Sequence, residues 1–196
     1  MKIISDKKLL KIPVIDSGEI LVYIDKDFMV RKTVAEKLSL ARKFLPVGYK
    51  LFVNSAWRSL ELQKEYYDKT FAKIKKQNPG WSSVKIKKLT DKFVAPLEII
   101  PPHSTGGAVD VSILDVSGRK INMGTKIGQD YDLDKTKTNS QKISKTAKRN
   151  RKLLVKAMEA AGFINYPLEW WHWSYGDRYW AAVLDKKYSI YKSIKK

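Results

Sequence analysis

The chain contains two histidines, and each lies close in sequence to a carboxylate that could work with it. His103 opens the segment His-Ser-Thr-Gly-Gly-Ala-Val-Asp, which ends at Asp110, and His172 closes the segment Glu-Trp-Trp-His, which begins at Glu169. Two imidazoles and one carboxylate form a three-ligand zinc site with a fourth position open to water, and a further carboxylate can take a proton from that water. The four residues therefore predict metal-dependent hydrolysis of an amide bond.

The side chains of His103 and Asp110, at the two ends of the first segment, can bind the same metal ion. Its two glycines, Gly106 and Gly107, allow a tight turn because glycine adopts backbone angles that other residues avoid. A carboxylate within the apolar strand that follows is costly unless it is paired or metal-bound. The alternative is a solvent-facing Asp110 on an edge strand and a surface His103.

Glu169 and His172 must point to the same side of the chain if both are to act at one metal ion. Residues three apart in a regular strand point to opposite faces, so a kink or a position at the strand end is needed to bring these two together. The alternative is a buried aromatic strand with one hydrogen-bonded histidine. In both cases we expect the tryptophans at 170, 171 and 173 to form core and pocket wall.

Arg58 lies between a predicted strand and a predicted helix. An arginine in this position could stabilise the oxyanion of a tetrahedral intermediate. The alternative for Arg58 is a surface salt bridge.

Composition limits the other classes of function. The 196 residues suit a single domain, expected to span 1–196, and the absence of cysteine excludes disulfides and thiolate metal sites. The net charge of +19 comes mainly from three basic stretches, at 73–92, at 135–156 and from Lys186 onward. The alternatives are a well-solvated surface and attraction to a polyanion such as nucleic acid or an anionic wall polymer, but no nucleic-acid-binding motif accompanies the charge.

No signal-peptide pattern and no membrane-spanning apolar stretch is present in the sequence. We therefore expect a cytoplasmic protein. A periplasmic or secreted protein without its signal would look the same.

The apolar patterning predicts an α+β fold with a central, mainly antiparallel sheet flanked by helices. The predicted strands cover 19–24, 49–56, 107–114 and 168–174, and the predicted helices cover 33–45, 59–76, 83–94, 144–161 and a last segment from Arg178. A turn at 115–118 and a polar loop at 122–140 separate them. Ser59 and Asp177 are predicted caps, and Gly162 is predicted to end the helix over 144–161.

Over about residues 23–180 the sequence resembles the D-alanyl-D-alanine dipeptidases, the VanX-like branch of the zinc D,D-peptidases. The family pattern Ser-x-His-x-x-Gly-x-Ala-x-Asp is matched from His103 to Asp110, and Glu-x-Trp-His is matched from Glu169 to His172. Arg58 occupies the place of the family's upstream arginine. Two departures lie nearby, Pro101 for the family's serine and Ala56-Trp57 for its Gly-Tyr.

The resemblance implies a zinc D,D-peptidase fold with one Zn²⁺ per chain, held by His103, Asp110 and His172. It assigns Glu169 as general base and later acid, and Arg58 as the residue that stabilises the transition state. The implied reaction is hydrolysis of D-alanyl-D-alanine dipeptide to free D-alanine.

Two other functions stay open from the sequence. A D,D-carboxypeptidase or endopeptidase acting on peptidoglycan stem peptides would use the same chemistry, and a non-catalytic zinc-binding module would keep only the metal. The partner we expect is a small D,D-dipeptide or a peptidoglycan-derived peptide, with no specific nucleic acid.

Overall fold

A computed structural model describes residues 3–25 and 27–194, so the end of the predicted basic tail lies outside the described residues. The helices are α1 Asp6–Leu10, α2 Lys32–Lys43, α3 Leu60–Gln77, α4 Ser83–Phe93, α5 Leu133–Thr136, α6 Lys145–Ala160 and α7 Arg178–Val183, with a 3-10 helix at Pro102–Thr105. The strands are β1 Leu21–Ile24, β2 Phe28–Arg31, β3 Lys50–Ser55, β4 Ala108–Leu114, β5 Ile164–Asn165 and β6 His172–Ser174. No helix among the described residues is both long and apolar enough to cross a bilayer.

The central sheet has four strands in the order β3-β4-β6-β5, and every neighbouring pair is antiparallel. β1 and β2 form a separate antiparallel pair. This arrangement confirms the α+β class and the mainly antiparallel sheet. The single domain spanning 1–196 stays a prediction.

The main hydrophobic core lies on one face of β4. Val109, Val111 and Ile113 are fully buried there and belong to one cluster with side chains of α2 and α6. Because alternate strand residues point to opposite faces, Asp110 projects from the other face of β4. The core thus fixes the strand while its opposite face carries polar groups.

The predicted helix caps are confirmed by hydrogen bonds. The side chain of Ser59 accepts from the amide of Leu62, and that of Asp177 accepts from the amide of Trp180. Gly162 follows α6 with a φ of +85°, the left-handed conformation that ends a helix.

The predicted strand over 168–174 is wrong in its first half, because only His172–Ser174 forms a strand. The loop predicted at 122–140 contains α5, and α1, β2 and β5 were not predicted. Each of these four elements has five residues or fewer, which is too short to show a periodic apolar pattern.

A β-bulge lies in β3 next to Asp110. Val53 pairs with Val111, whereas Ser55 pairs with Asp110, so that Asn54 is the extra residue. A bulge bends its strand and redirects the side chains that follow. Ser55 is thereby placed opposite Asp110 on the polar face of the sheet.

Arg31, at the end of β2, joins three distant segments of the chain. Its guanidinium donates to the carbonyl oxygens of Glu19, Thr105 and Lys192 and lies 3.6 Å from a carboxylate oxygen of Asp16. The residue is only 3% exposed. Arg31 therefore anchors the loop that follows His103 to both ends of the chain.

We predict that Arg31→Lys lowers the free energy of unfolding by about 2–3 kcal/mol, because an ammonium group cannot satisfy all of these acceptors and leaves some of them buried and unpaired. The measurement is urea denaturation. The control is Arg42→Lys, which changes an exposed arginine 3.9 Å from Asp25 and should alter stability by less than about 0.5 kcal/mol. Equal effects of the two substitutions would contradict this role.

Candidate active site

Asp110 and His172 lie side by side on the same face of the central sheet. They are directly paired residues of β4 and β6, and the imidazole Nδ1 of His172 lies 3.0 Å from Oδ1 of Asp110. Neighbouring antiparallel strands place paired side chains on the same face. Residues 62 positions apart in sequence are thus brought into direct contact by the strand register.

His103 reaches the same point from the 3-10 helix that precedes β4. Its Nε2 lies 3.3 Å from Oδ1 of Asp110 and 3.2 Å from Nδ1 of His172. Its Nδ1 lies 2.7 Å from the carbonyl oxygen of Ala56. Since that oxygen can only accept, Nδ1 is the donor in this hydrogen bond, and the lone pair of Nε2 in the neutral ring is directed at the other two side chains.

The turn between His103 and Asp110 requires its glycines. Gly106 has a φ of +74°, and a Cβ on Gly107 would lie 2.4 Å from the carbonyl oxygen of Tyr175. A side chain at either position would strain the backbone or collide with it. The sequence argument for a tight turn here is therefore confirmed.

The three side chains fit a metal ion. One ligand atom from each of His103, Asp110 and His172 lies within 4.8 Å of the other two. The hydrogen bond to Ala56 fixes the tautomer of His103 in the way that outer partners of metal-binding histidines do. Two imidazole nitrogens and one carboxylate oxygen suit zinc in a catalytic site, because they leave a further position open.

The charges of this cluster favour binding of a cation. Burial raises the pKa of Asp110, but His103 and His172 outweigh burial and hold that pKa well below its usual range. Burial, assisted by the positive charge of Arg58, lowers the pKa of His103 to about 4. At neutral pH the cluster therefore contains a carboxylate and a neutral His103, the protonation states that a metal requires.

Glu169 lies in a turn rather than in a strand. The amide of His172 donates to the carbonyl oxygen of Glu169 at 3.3 Å, which closes the turn just before β6 begins. The alternation of a strand does not apply in a turn, so Glu169 and His172 line the same cavity. This turn is the kink that is needed to bring the side chains of Glu169 and His172 together.

Glu169 is only 5% exposed, and its carboxyl is destabilised in the charged form. Burial raises its pKa well above the usual value, the negative charge of Asp110 raises it further, and Arg58 opposes both effects. A buried carboxyl with a raised pKa beside a cation site is suited to accept and release a proton near neutral pH.

Arg58 is buried beside Asp110, so the surface salt bridge considered from sequence is wrong. Its Nη2 donates to Oδ2 of Asp110 at 3.1 Å, its Nε to Ser55 at 3.1 Å, and its Nη1 to Gln63 at 3.2 Å. Tyr66 covers the guanidinium, with the ring centroid 4.7 Å from the central carbon of Arg58. Arg58 thus holds the oxygen of Asp110 that faces away from the histidines.

Asn165, at the end of β5, is a site residue that the sequence analysis missed. Its side-chain amide donates to the carbonyl oxygens of both Glu169 and His172, each at 3.0 Å. Its own oxygen accepts from the hydroxyl of Thr138. A single asparagine outside any motif gives no sequence signal, although it holds both ends of the turn.

The aromatic residues of this region are distributed as expected. Trp173 is fully buried in the core, and Trp171 lines the cavity that contains His103, Asp110 and His172, the candidate metal-ligand cluster. Trp170 donates from its indole nitrogen to Thr125 and lines a second cavity. The tryptophans are therefore both core and pocket wall.

Two cavities adjoin the site. The first has a volume of about 390 Å³ and contains His103, Asp110, Glu169 and His172 in its wall, while the second has a volume of about 990 Å³. Arg58, Asp110 and Glu169 line both cavities. Arg58, Asp110 and Glu169 can therefore be reached from either cavity, whereas His103 and His172 line the first.

The departures from the expected motif leave this arrangement in place. Pro101 lines the first cavity, and its carbonyl oxygen accepts from the hydroxyl of Ser104. Ala56 contributes the carbonyl oxygen that binds His103. Neither substitution removes a side chain of the metal-ligand cluster.

Comparison with known proteins identifies related sequences over most of the chain. The family model described as D-ala-D-ala dipeptidase, of the M15 peptidases, matches residues 17–194. A D-alanyl-D-alanine dipeptidase of Synechocystis sp. is 28% identical over 190 residues, which cover 85% of this chain and 77% of the relative. One of Escherichia coli is 31% identical over 81 residues, which cover 41% of each chain.

Two solved structures share the fold. A mutant of the vancomycin resistance D,D-pentapeptidase VanY, in complex with Zn(II), aligns with a TM-score of 0.55 at 19% identity and covers 93% of this chain and 96% of its own. VanYB in complex with D-alanine-D-alanine aligns with the same TM-score at 20% identity, with 91% of both chains covered. Both support the fold class reached from the sheet and its helices.

We predict that Glu169→Gln stabilises the metal-free protein more at pH 8 than at pH 5. Between the unfolded value near 4.5 and the raised folded pKa, the folded protein keeps a proton that the unfolded chain releases, so stability is lost as the pH rises. Glutamine removes this loss. Urea denaturation in the presence of a chelator measures the free energy of unfolding at both pH values, with the exposed Glu159→Gln as control. A stabilisation by Glu169→Gln that does not grow with pH would contradict the raised pKa of Glu169.

We predict that Asn165→Asp destabilises the metal-free protein by about 2–4 kcal/mol, because it replaces the amide NH2 group, which donates two buried hydrogen bonds, by a single oxygen that faces two carbonyl groups. Metal affinity should fall about tenfold, as for other outer partners of metal ligands. Urea denaturation and competition with a chromophoric chelator measure the two effects. The exposed Asn139→Asp is the control, and wild-type stability and affinity in Asn165→Asp would refute the role.

Proposed function

The chain belongs to the D-ala-D-ala dipeptidase family and is a metallopeptidase, and on this basis we propose that it is a zinc-dependent enzyme that hydrolyses D-alanyl-D-alanine to free D-alanine. The observation that carries the proposal is the convergence of His103, Asp110 and His172 on one point, with Glu169 in the adjoining turn. Relatives named as D-alanyl-D-alanine dipeptidases support the substrate.

We assign His103, Asp110 and His172 as the ligands of one zinc ion. When bound, zinc supplies a Lewis acid that polarises the scissile carbonyl and lowers the pKa of water to about 7. The nitrogen and oxygen donor set supports zinc, and so does the Zn(II) complex of the VanY structure that shares the fold.

Glu169 is the proton carrier in the proposed reaction. Its carboxylate accepts a proton from the attacking water and then donates that proton to the nitrogen of the leaving D-alanine, so that the carboxylate is restored. Its burial is compatible with this exchange, because a raised pKa brings the two protonation states closer in free energy near neutral pH. The turn keeps Glu169 beside His172 throughout.

Arg58 contributes positive charge at the point where the carbonyl oxygen of the substrate becomes negative. Its guanidinium is held by Ser55, Gln63 and Asp110, so its position is fixed before the substrate binds. Preorganised charge of this kind stabilises a transition state without reorganisation. Through Asp110 it also orients one of the metal ligands.

We predict that Glu169→Gln keeps about one zinc per chain and loses about 10²–10⁴-fold in turnover, whereas His172→Ala loses the zinc. Elemental analysis after dialysis measures the metal, and release of free amine from D-alanyl-D-alanine measures turnover. Glu159→Gln, on the exposed surface of α6, is the control and should retain both.

Two results would reject the mechanism. Normal turnover by Glu169→Gln would show that this carboxyl does not carry the proton. A wild-type protein that binds zinc and releases no amine from D-alanyl-D-alanine or from an N-acylated D-alanyl-D-alanine peptide would favour a non-catalytic zinc module.

A further inference from the structure

The exposed side of α6 carries a row of positive charges. The cations follow each other at intervals of three or four residues, which places their side chains next to each other on one side of the helix. At a rise of 1.5 Å per residue the row is about 16 Å long. It consists of Lys145, Arg149, Lys152 and Lys156, which are all exposed. We call these residues the α6 row.

The α6 row is not compensated by carboxylates of the protein. Among the residues that the structure describes, no ion pair involves a member of the row, whereas Lys64, Lys69 and Lys87 on α3 and α4 each pair with a carboxylate four residues away. α6 contains one carboxylate, Glu159, in its last turn. Because like charges at this spacing destabilise a helix, a bound polyanion would relieve the repulsion within the row.

The opposite side of α6 is fixed in the main hydrophobic core. Leu154, Ala157 and Met158 are fully buried there, and the side chain of Ser144 caps the start of the helix. The backbone under the α6 row is therefore ordered before any partner binds, which lowers the cost of association. Within the described chain, neither cavity has a member of the row in its wall, so this surface is separate from the candidate active site.

The surroundings of the α6 row argue against two kinds of partner. The structure describes α6 over its whole length, and the helix has no exposed large apolar or aromatic side chain. A helix that lies in a membrane interface needs apolar side chains to insert, and proteins that hold single-stranded nucleic acid stack its bases on aromatic rings. The row offers charge alone, which suits a partner that is recognised through its phosphates.

A nucleic-acid duplex matches these properties. It carries one negative charge per 1.7 Å of its axis, so about nine phosphates lie within the length of the α6 row. Cations that contact these phosphates release condensed counterions, which favours binding. Both surfaces are rigid, whereas a flexible phosphate polymer would lose conformational freedom when it binds to a straight row of charges.

We propose that the α6 row is a binding surface for double-stranded nucleic acid, which it contacts through phosphates without reading the base sequence. This inference goes beyond the proposed peptidase activity and does not depend on it. It gives a role to one part of the net charge of +19, which the candidate active site does not use.

Fluorescence anisotropy of a short labelled DNA duplex, titrated with the full chain, tests this surface. We expect a dissociation constant of about 10⁻⁴–10⁻⁶ M at physiological salt and a plot of log affinity against log salt with a slope of about −3 to −4. Two duplexes of unrelated sequence should bind within about twofold of each other, because phosphate contacts carry no sequence information. The corresponding single strand should bind more weakly.

The triple variant Lys145→Gln, Lys152→Gln and Lys156→Gln should weaken duplex binding by at least about tenfold at low salt. The slope should become shallower by about two to three, because each lost phosphate contact removes about 0.9 from it. These side chains are exposed, so the midpoint of urea denaturation should stay at the wild-type value and show that the variant is folded.

The matched control is Lys64→Gln, Lys69→Gln and Lys87→Gln. It removes the same net charge from exposed lysines that already have carboxylate partners. Duplex affinity should then change by less than about twofold, since overall charge contributes to binding less than direct phosphate contacts do.

Three results would overturn the proposal. Equal losses in the two triple variants would show that binding follows net charge rather than the α6 row. Tighter binding of the single strand, or of poly(glycerol phosphate) as a flexible phosphodiester, would assign the row to another class of partner. The third result is a wild-type protein that does not bind the duplex even at low salt.

Discussion

The negative charge of Asp110, buried inside an apolar protein, constrains the groups around it. Asp110 is 5% exposed, so its negative charge is costly unless it is compensated: Arg58 donates to one carboxylate oxygen, and Nδ1 of His172 lies 3.0 Å from the other. These contacts define the point where we propose that a cation binds. Burial and, after it, the negative charge of Asp110 raise the pKa of Glu169, although Arg58 opposes both effects, so the Glu169 carboxyl retains a proton more easily.

The two faces of β4 have different roles, one in the hydrophobic core and one at the site around Asp110. One face packs against α2 and α6 and fixes the strand in position. The other face receives His172 from β6, the bulge with Ser55 from β3, and His103 from the turn before β4. Backbone pairing with β4 sets His172 and Ser55, whereas His103 and Glu169 are held by the 3-10 helix and the turn that adjoin the sheet.

The sequence predicted which side chains come together better than it predicted the local structure around them. His103, Asp110, Glu169, His172 and Arg58 were identified from residue types and motif order, and the longer helices followed from their apolar periodicity and caps. The aromatic run at 168–171 has the composition of a strand but forms a turn, because Asn165 binds the carbonyl oxygens at both ends of that turn. Such contacts between distant residues, like the bulge at Asn54, leave no local pattern to detect.

The central claim is that two imidazoles and one carboxylate bind one zinc ion. X-ray absorption at the zinc edge of the loaded protein tests it most directly, because scattering from imidazole rings is distinctive and the chain has only His103 and His172 to supply them. We expect two imidazoles per zinc, with nitrogen and oxygen ligands at about 2.0–2.2 Å. A spectrum that requires fewer than two imidazoles per zinc would contradict it.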